Sequence, residues 1–198
     1  MKTHYEHGLD HAIEHMKAEG MFGLNIPEVY GGKAFSPVAN SAIMTALSSS
    51  GYQALTVTAM VPNSLGPAEL LQHYGTREER DKYLPLLANG MMIPCFALTG
   101  PKNGSDATSN MDKGVFDGDV IRVTLDKRYI TLAPIADLIG LAVDVEGHGI
   151  TLFLVERDHP GLDIGRRHDP LGVGFSNGPI RGPIDQTCLL YTSPSPRD

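Results

Sequence analysis

The sequence predicts an α+β protein with helices first and strands afterwards, and three observations carry that prediction. Apolar residues recur at a spacing of about 3.6 in the first half, and after Gly90 the spacing changes to about 2. The two kinds of segment do not alternate, so no helix is available to cross between parallel neighbours, and antiparallel pairing is expected. With 41% apolar and 20% charged residues among 198, the chain has the composition of a globular protein able to bury a core.

Taken in order, Leu9, Ala12, Ile13 and Met16 fall at i, i+3, i+4 and i+7, one stripe of a helix that stops near Gly20. A turn-rich segment, NIPEVYGGKAF, follows. Ser36 before Pro37 is an N-cap with proline at the first helical position, and Val38, Ala39, Ala42, Ile43, Ala46 and Leu47 line one face of that helix. Thr76 with Glu79 makes a capping box opening REERDKYLPLLAN, which ends at Gly90, where a left-handed C-cap costs least. A boundary falls near Met91 to Pro94. Beyond it DVIRVTLDKRYITL, ADLIGLAVDV and GITLFLVERD read as strands, each bounded by Gly, Pro or Asp.

Composition excludes some functions. A net charge of −7 argues against nucleic acid or an anionic membrane as the main partner, since both require a basic face. No stretch approaches the roughly 18 to 20 apolar residues of a spanning helix, and the N-terminal MKTHYEHGLDHAIEH lacks the apolar centre of a signal peptide. The expected location is therefore the cytoplasm, with contact at the periphery of the inner membrane as an addition. Cys95 and Cys188 are too few for a disulfide framework and fit no metal spacing, so Cys95 is read as a buried free thiol.

Three local motifs could carry chemistry. His11, Glu14 and His15 match H-x-x-E-H, an inverted zinc-protease pattern, but nothing downstream supplies a third ligand, and a histidine-rich polar face is the simpler reading. Gly100-Pro101-Lys102-Asn103-Gly104-Ser105-Asp106 is not a Walker loop, although such a turn can present backbone N–H groups to a phosphate. In Lys127 to Asp137, Tyr129 and Thr131 stand two residues apart on a strand and so present a ring and a hydroxyl to one side, which suits a planar heteroaromatic ligand.

In series, GLNIPEVYGG at 23–32, VPNSLGPAELLQHYGTREERDKYLPLLANG at 61–90, IPCFALTGPKNGSDA at 93–107, DKRYITLAPIADLIGLA at 126–142 and PGLDIGRRHDPLGVGFSNGPIRG at 160–182 resemble the acyl-CoA dehydrogenase family, in its large bacterial fatty-acid β-oxidation form. The resemblance runs from about residue 9 to 186. It implies an N-terminal α-helical domain over 1–92 and an antiparallel β-barrel-like domain over 93–187 that contacts flavin. A C-terminal four-helix domain belongs to the family and is expected to be missing here.

The resemblance also implies roles. Phe96, Ala97, Leu98 and Thr99 match the strand that meets the pyrimidine edge of FAD. Gly104 and Ser105 match the turn at the FAD pyrophosphate, with Ser105 also touching the acyl-CoA. Tyr129, Ile130 and Thr131 stand where relatives have Trp-Ile-Thr or Trp-Ile-Ser against the flavin ring. The implied reaction takes a fatty acyl-CoA to its trans-2-enoyl-CoA: a carboxylate removes the α proton, the β hydrogen passes as hydride to FAD, and an electron-transfer flavoprotein is the later oxidant. The catalytic glutamate of the family comes from the C-terminal domain. None of Glu69, Glu78, Glu79 or Glu156 matches it, so a fragment inactive by itself is expected. Gly100 departs from the usual Glu or Ser, and against relatives the chain reads as shorter between Ser109 and Val120 and across Arg181 to Asp185, the second gap being a strand's length, so that the last strand of the β domain is not counted on.

Relatives oligomerise, and a neighbouring subunit meets part of the FAD, so weak FAD binding by this chain alone is expected, as is an exposed apolar face on the N-terminal helices. The alternative reading is a non-catalytic acyl-CoA or protein-binding module with the same fold. Finally, Cys188 to Asp198, CLLYTSPSPRD, back-translates with a permitted codon at every position into a string resembling the transposon-end adapter of sequencing libraries. Residues 188–198 are therefore expected to be disordered and to lie outside the fold.

Overall fold

A computed structural model describes residues 4–64, 66–169, 174–186 and 191–192. It divides into two compact units, Met1–Ile93 with Asp169–Ser176, and Pro94–His168 with Asn177–Asp198.

The first unit is helical: α1 (His4–Ala18), α2 (Pro37–Ser49), α3 (Gln53–Met60), α4 (Pro67–Tyr74) and α5 (Arg77–Ala88). Ile13 and Met16 of the α1 stripe are buried, and Phe22, Leu24, Ile26, Leu71, Leu84 and Leu87 make up the centre of this unit's core. The segment between α1 and α2 folds back on itself. Lys33 N–H donates to Gly23 O, Ala34 N–H to Ile26 O and Phe35 N–H to Leu24 O, at 2.7 to 2.9 Å. The expected caps form, with Ser36 Oγ accepting from Ala39 N–H at 3.2 Å and a reciprocal box between Thr76 and Glu79.

The stripe expected on α2 is split. Ala39, Ile43 and Leu47, at i, i+4 and i+8, are half-buried, whereas Val38, Ala42 and Ala46 are exposed and no residue of the helix is fully buried. One flank of the apolar face is covered and the other is open to solvent.

The second unit holds β1 (Pro94–Ala97), β2 (Lys113–Asp117), β3 (Val120–Thr131), β4 (Leu138–Val145), β5 (Gly149–Glu156), β6 (Asp163–Ile164), β7 (Asn177–Gln186) and β8 (Tyr191–Thr192). They form a curled sheet in the order β6-β7-β3-β2-β4-β5-β8, with β1 beside β4. The expected segregation of helices and strands is observed. The pairing is not wholly antiparallel, however, because β4 runs parallel to both β1 and β2. The tight reversals β2–β3 at Gly118 and β4–β5 at Gly147 each force antiparallel neighbours, and β4 then enters alongside earlier strands in the same direction. Buried between neighbours, β4 reads as a continuous apolar run, whereas β5 alternates.

Two other expectations change. The shortened segment 181–185 nevertheless belongs to a ten-residue strand, β7, paired along β3. Within the tail, Tyr191 and Thr192 pair with Leu152 and Thr151 of β5 rather than standing free of the sheet. An edge strand carries a row of backbone donors and acceptors that a β-prone pair such as Tyr191-Thr192 can join. The rest of 188–198 lies outside the described residues. No helix among the described residues is long and apolar enough to cross a membrane.

Candidate functional site

Three segments singled out in the sequence meet at one place in the second unit. β1 carries Phe96 and Ala97, and the chain continues through Leu98 and Thr99 into the turn 100–105. The end of β3 lies alongside: Arg128 N–H donates to Thr99 O at 2.9 Å, and Lys127 Nζ donates to Leu98 O at 3.1 Å. Thus Phe96 to Thr99, Gly104 with Ser105, and Tyr129 to Thr131 share a neighbourhood, although they span 36 positions from residue 96 to residue 131.

The turn is held by a residue with no assigned role in the sequence reading. Asn103 is buried; its Oδ1 accepts from Gly100 N–H at 2.7 Å, and its Nδ2 donates to Leu98 O at 3.3 Å and Ala107 O at 2.9 Å. A Cβ on Gly100 would stand 2.8 Å from Asn103 Oδ1, so the Glu or Ser of relatives would displace this arrangement. Gly104 and Ser105 are exposed, and a Cβ added at Gly104 would meet nothing within 4 Å. The turn therefore leaves its backbone open at Gly104.

At the other segment the alternation argument holds only in part. A register shift separates Lys127 from Ile130, and Tyr129 has φ +59°, a left-handed conformation uncommon outside glycine. Its ring is 62% exposed and stands 5.1 Å from the His168 ring, while Ile130 turns into the core. Asn177 restores the link that strand geometry alone does not supply: Nδ2 donates to Tyr129 O at 2.8 Å and reaches Thr131 Oγ1 at 3.4 Å. His168 Nδ1 lies 3.1 Å from Asn177 Oδ1. An amide oxygen only accepts, so this contact places a proton on Nδ1.

Behind the site is a buried cation. Lys127 is fully buried, and its Nζ meets Ala142 O at 2.8 Å, Leu98 O at 3.1 Å and Asp112 Oδ2 at 3.3 Å. Burial pulls the ammonium's pKa below its ordinary value, and Asp112 pulls it back up. Three acceptors match the three donors of a charged ammonium. The signal for Lys127 was present in the sequence: it follows Ile121, Val123 and Leu125 at period 2, on the buried side of β3. Burial pushes the Cys95 thiol well above its usual range, which makes it inert.

The other motifs lead elsewhere. Glu14 of H-x-x-E-H pairs with Lys17 at 2.9 Å, and the described residues contain no group of three or more metal-ligating side chains. Glu69 faces His73 at 3.1 Å and Glu79 closes the capping box, so both carboxylates have structural partners.

A flat heteroaromatic ligand with a pyrophosphate arm fits this donor set. Among the described residues β1 pairs with β4, and beyond its end the half-buried Leu98 and Thr99, the open glycine turn and the exposed Tyr129 lie side by side. Comparison with known proteins assigns the scaffold. Residues 2–91 match the acyl-CoA dehydrogenase N-terminal domain, and residues 95–181 match the acyl-CoA dehydrogenase middle domain. The chain belongs to the acyl-CoA dehydrogenase family.

Acyl-CoA dehydrogenases are FAD oxidoreductases, and relatives of this chain carry that name. A Bacillus subtilis (strain 168) acyl-CoA dehydrogenase is 32% identical over 169 residues, covering 83% of this chain and 44% of its own. A second protein of that strain, described as a probable acyl-CoA dehydrogenase, is 29% identical over 197 residues, covering 97% of this chain and 32% of its own. The crystal structure of a Bacillus anthracis acyl-CoA dehydrogenase complexed with FAD shares the fold, with a TM-score of 0.81 at 24% identity over 94% of this chain and 33% of that one. The present chain thus spans about a third to under half of these acyl-CoA dehydrogenases.

Proposed function

We propose that this chain supplies the flavin-facing part of an enzyme that converts a fatty acyl-CoA to the trans-2-enoyl-CoA, the first step of fatty-acid β-oxidation. The observation that carries the reading is the meeting of the end of β1 with Leu98 and Thr99, the Gly104-Ser105 turn and the Tyr129-to-Thr131 segment in one unit of an acyl-CoA dehydrogenase.

Phe96, Ala97, Leu98 and Thr99 would hold the pyrimidine edge of FAD, since backbone N–H groups and a hydroxyl are suited to carbonyl and ring-nitrogen acceptors. Gly104 and Ser105 would meet the pyrophosphate, the serine also reaching the acyl-CoA. Tyr129 and Thr131 would present the ring and the hydroxyl to the isoalloxazine, with Ile130 anchoring them. Bound FAD supplies the hydride acceptor. Fixed donors at the end of β1 and at Thr99 would favour negative charge that builds beside them, the preorganisation that lowers such barriers.

The α proton needs a carboxylate base, and this reading takes it from outside the 198 residues. It also includes electron-transfer flavoprotein as oxidant, a homo-oligomeric full-length enzyme and action in the cytoplasm; no described feature adds support for the peripheral membrane contact. The test is anaerobic addition of saturated acyl-CoA to the chain extended to its relatives' length and loaded with FAD. Bleaching of the flavin with formation of trans-2-enoyl-CoA is expected, while the 198-residue chain gives no turnover. Acyl-CoA binding by the extended protein without bleaching would instead establish the non-catalytic module.

A further inference from the structure

Lys127 is a cost unless it does something. Burying an ammonium is expensive even when it is paired, and an apolar residue at this inward position of β3 would pack without that penalty. What the cation does is visible in its partners. It ties Asp112, which precedes β2, to the carbonyl of Ala142 in the middle of β4 and to the carbonyl of Leu98 beyond the end of β1. The strand pairing of β1 with β4 ends at Ala97–Leu141, so Leu98 and Thr99 are no longer held by the ladder. They are held instead by the Lys127 ammonium, by Arg128 N–H on Thr99 O and by Asn103 on Leu98 O. Asp112 is fixed in turn, because its Oδ2 also accepts from Asp126 N–H at 3.2 Å.

We propose that Lys127, seated against Asp112, is a positioning residue whose ammonium holds the Leu98 carbonyl and so fixes the Leu98–Thr99 backbone that faces the isoalloxazine end of the ligand. The inference rests on the flavin reading above in its second half only; the clamp itself is a statement about the protein.

The experiment compares the 198-residue chain with Lys127→Met, which keeps length and removes the charge, and with Asp112→Asn, which leaves an acceptor for Asp126 N–H and takes the counter-charge away. Residue-resolved amide exchange is read at Gly100, whose N–H bonds to Asn103 Oδ1, and at Arg128, whose N–H bonds to Thr99 O, with the amides of β5, which the ammonium does not touch, as the control. Riboflavin and ADP are then titrated separately as probes of the two ends of the proposed ligand. Exchange at Gly100 and Arg128 is expected to rise at least tenfold in Lys127→Met, and less in Asp112→Asn, with β5 unchanged. Riboflavin binding should weaken fivefold or more while ADP binding stays the same.

Unchanged exchange at Gly100 and Arg128, or an equal rise throughout β5, overturns the clamp. Should Lys127→Met fail to fold, Asp112→Asn decides by the same amides. Faster exchange at the clamp, with wild-type chain that binds neither riboflavin nor FAD, keeps the clamp and removes the flavin reading. An equal loss of riboflavin and ADP binding overturns positioning in favour of a merely structural role.

Discussion

Asn63→Ala is expected to destabilise the helical unit by about 4 kcal/mol, from the desolvation of buried groups left without partners. Asn63 is 2% exposed, and its side chain ties residues 21–25 to the end of α3. Nδ2 donates to Met21 O at 2.6 Å and to Ala59 O at 2.8 Å, while Oδ1 accepts from Leu24 N–H at 2.7 Å and Asn25 N–H at 3.4 Å. Its backbone carbonyl accepts from Asn40 Nδ2 at 2.6 Å, which adds α2 to the same knot. Alanine leaves Leu24 N–H and Met21 C=O with neither side chain nor ready access to water. Asn63→Asp is no remedy, because a carboxylate cannot donate to Met21 and Ala59. Urea denaturation followed by the helical circular dichroism signal reads the effect. A midpoint unchanged in both variants would show that the knot is dispensable.

The second large effect is expected in the sheet. Gly182 has φ +126°, and a Cβ there would stand 1.8 Å from Gly161 O. Gly161 has φ +86°, and its own Cβ would stand 2.1 Å from Pro183 O. Two backbones therefore cross with no room for a side chain on either. One of them is β7, which must stay in register with β3 to carry Asn177 to Tyr129 and Thr131. Gly182→Ala is expected to cost at least about 3 kcal/mol from backbone strain and the forced separation together. Because the crossing and Asn177 lie on one strand, the Tyr129 environment should change with it. Thermal unfolding and the NMR signals of Tyr129 and His168 read both consequences; an unaltered melting temperature would contradict the account.

Much of this was legible in the sequence, and the reasons differ by element. Caps and periods are local, so Ser36-Pro37, the Thr76–Glu79 box and the three long strands could be read directly. Partners are not local. The parallel placement of β4 beside β1 and β2 depends on how many reversals come first, which no single segment records. The burial of α2 depends on what lies against each flank of its stripe, and periodicity says only that a stripe exists.

At the site, the segments proposed to face the ligand were visible as Gly-rich and aromatic-hydroxyl runs, whereas the side chains that hold them were not. Asn103 and Asn177 act by turning amides back onto backbone, a role that asparagine's identity does not announce. Lys127 was readable from its phase on β3, but a lysine in an apolar phase is ordinarily taken for one that reaches out to solvent. The Tyr129 conformation follows from the bulge, and that irregularity had no sequence signature because glycine is absent from it.

The proposed flavin-binding face comprises Phe96, Ala97, Leu98, Thr99, Gly104, Ser105, Tyr129, Ile130 and Thr131. Its most direct test is an NMR titration of the 198-residue chain with FAD, which reports contacts even where the isolated chain binds weakly. The account predicts concentration-dependent shifts at those nine residues, with Asn103 and His168 responding beside them. Saturating shifts confined to the helices α1 to α5, with residues 96–105 and 129–131 unmoved, would contradict it.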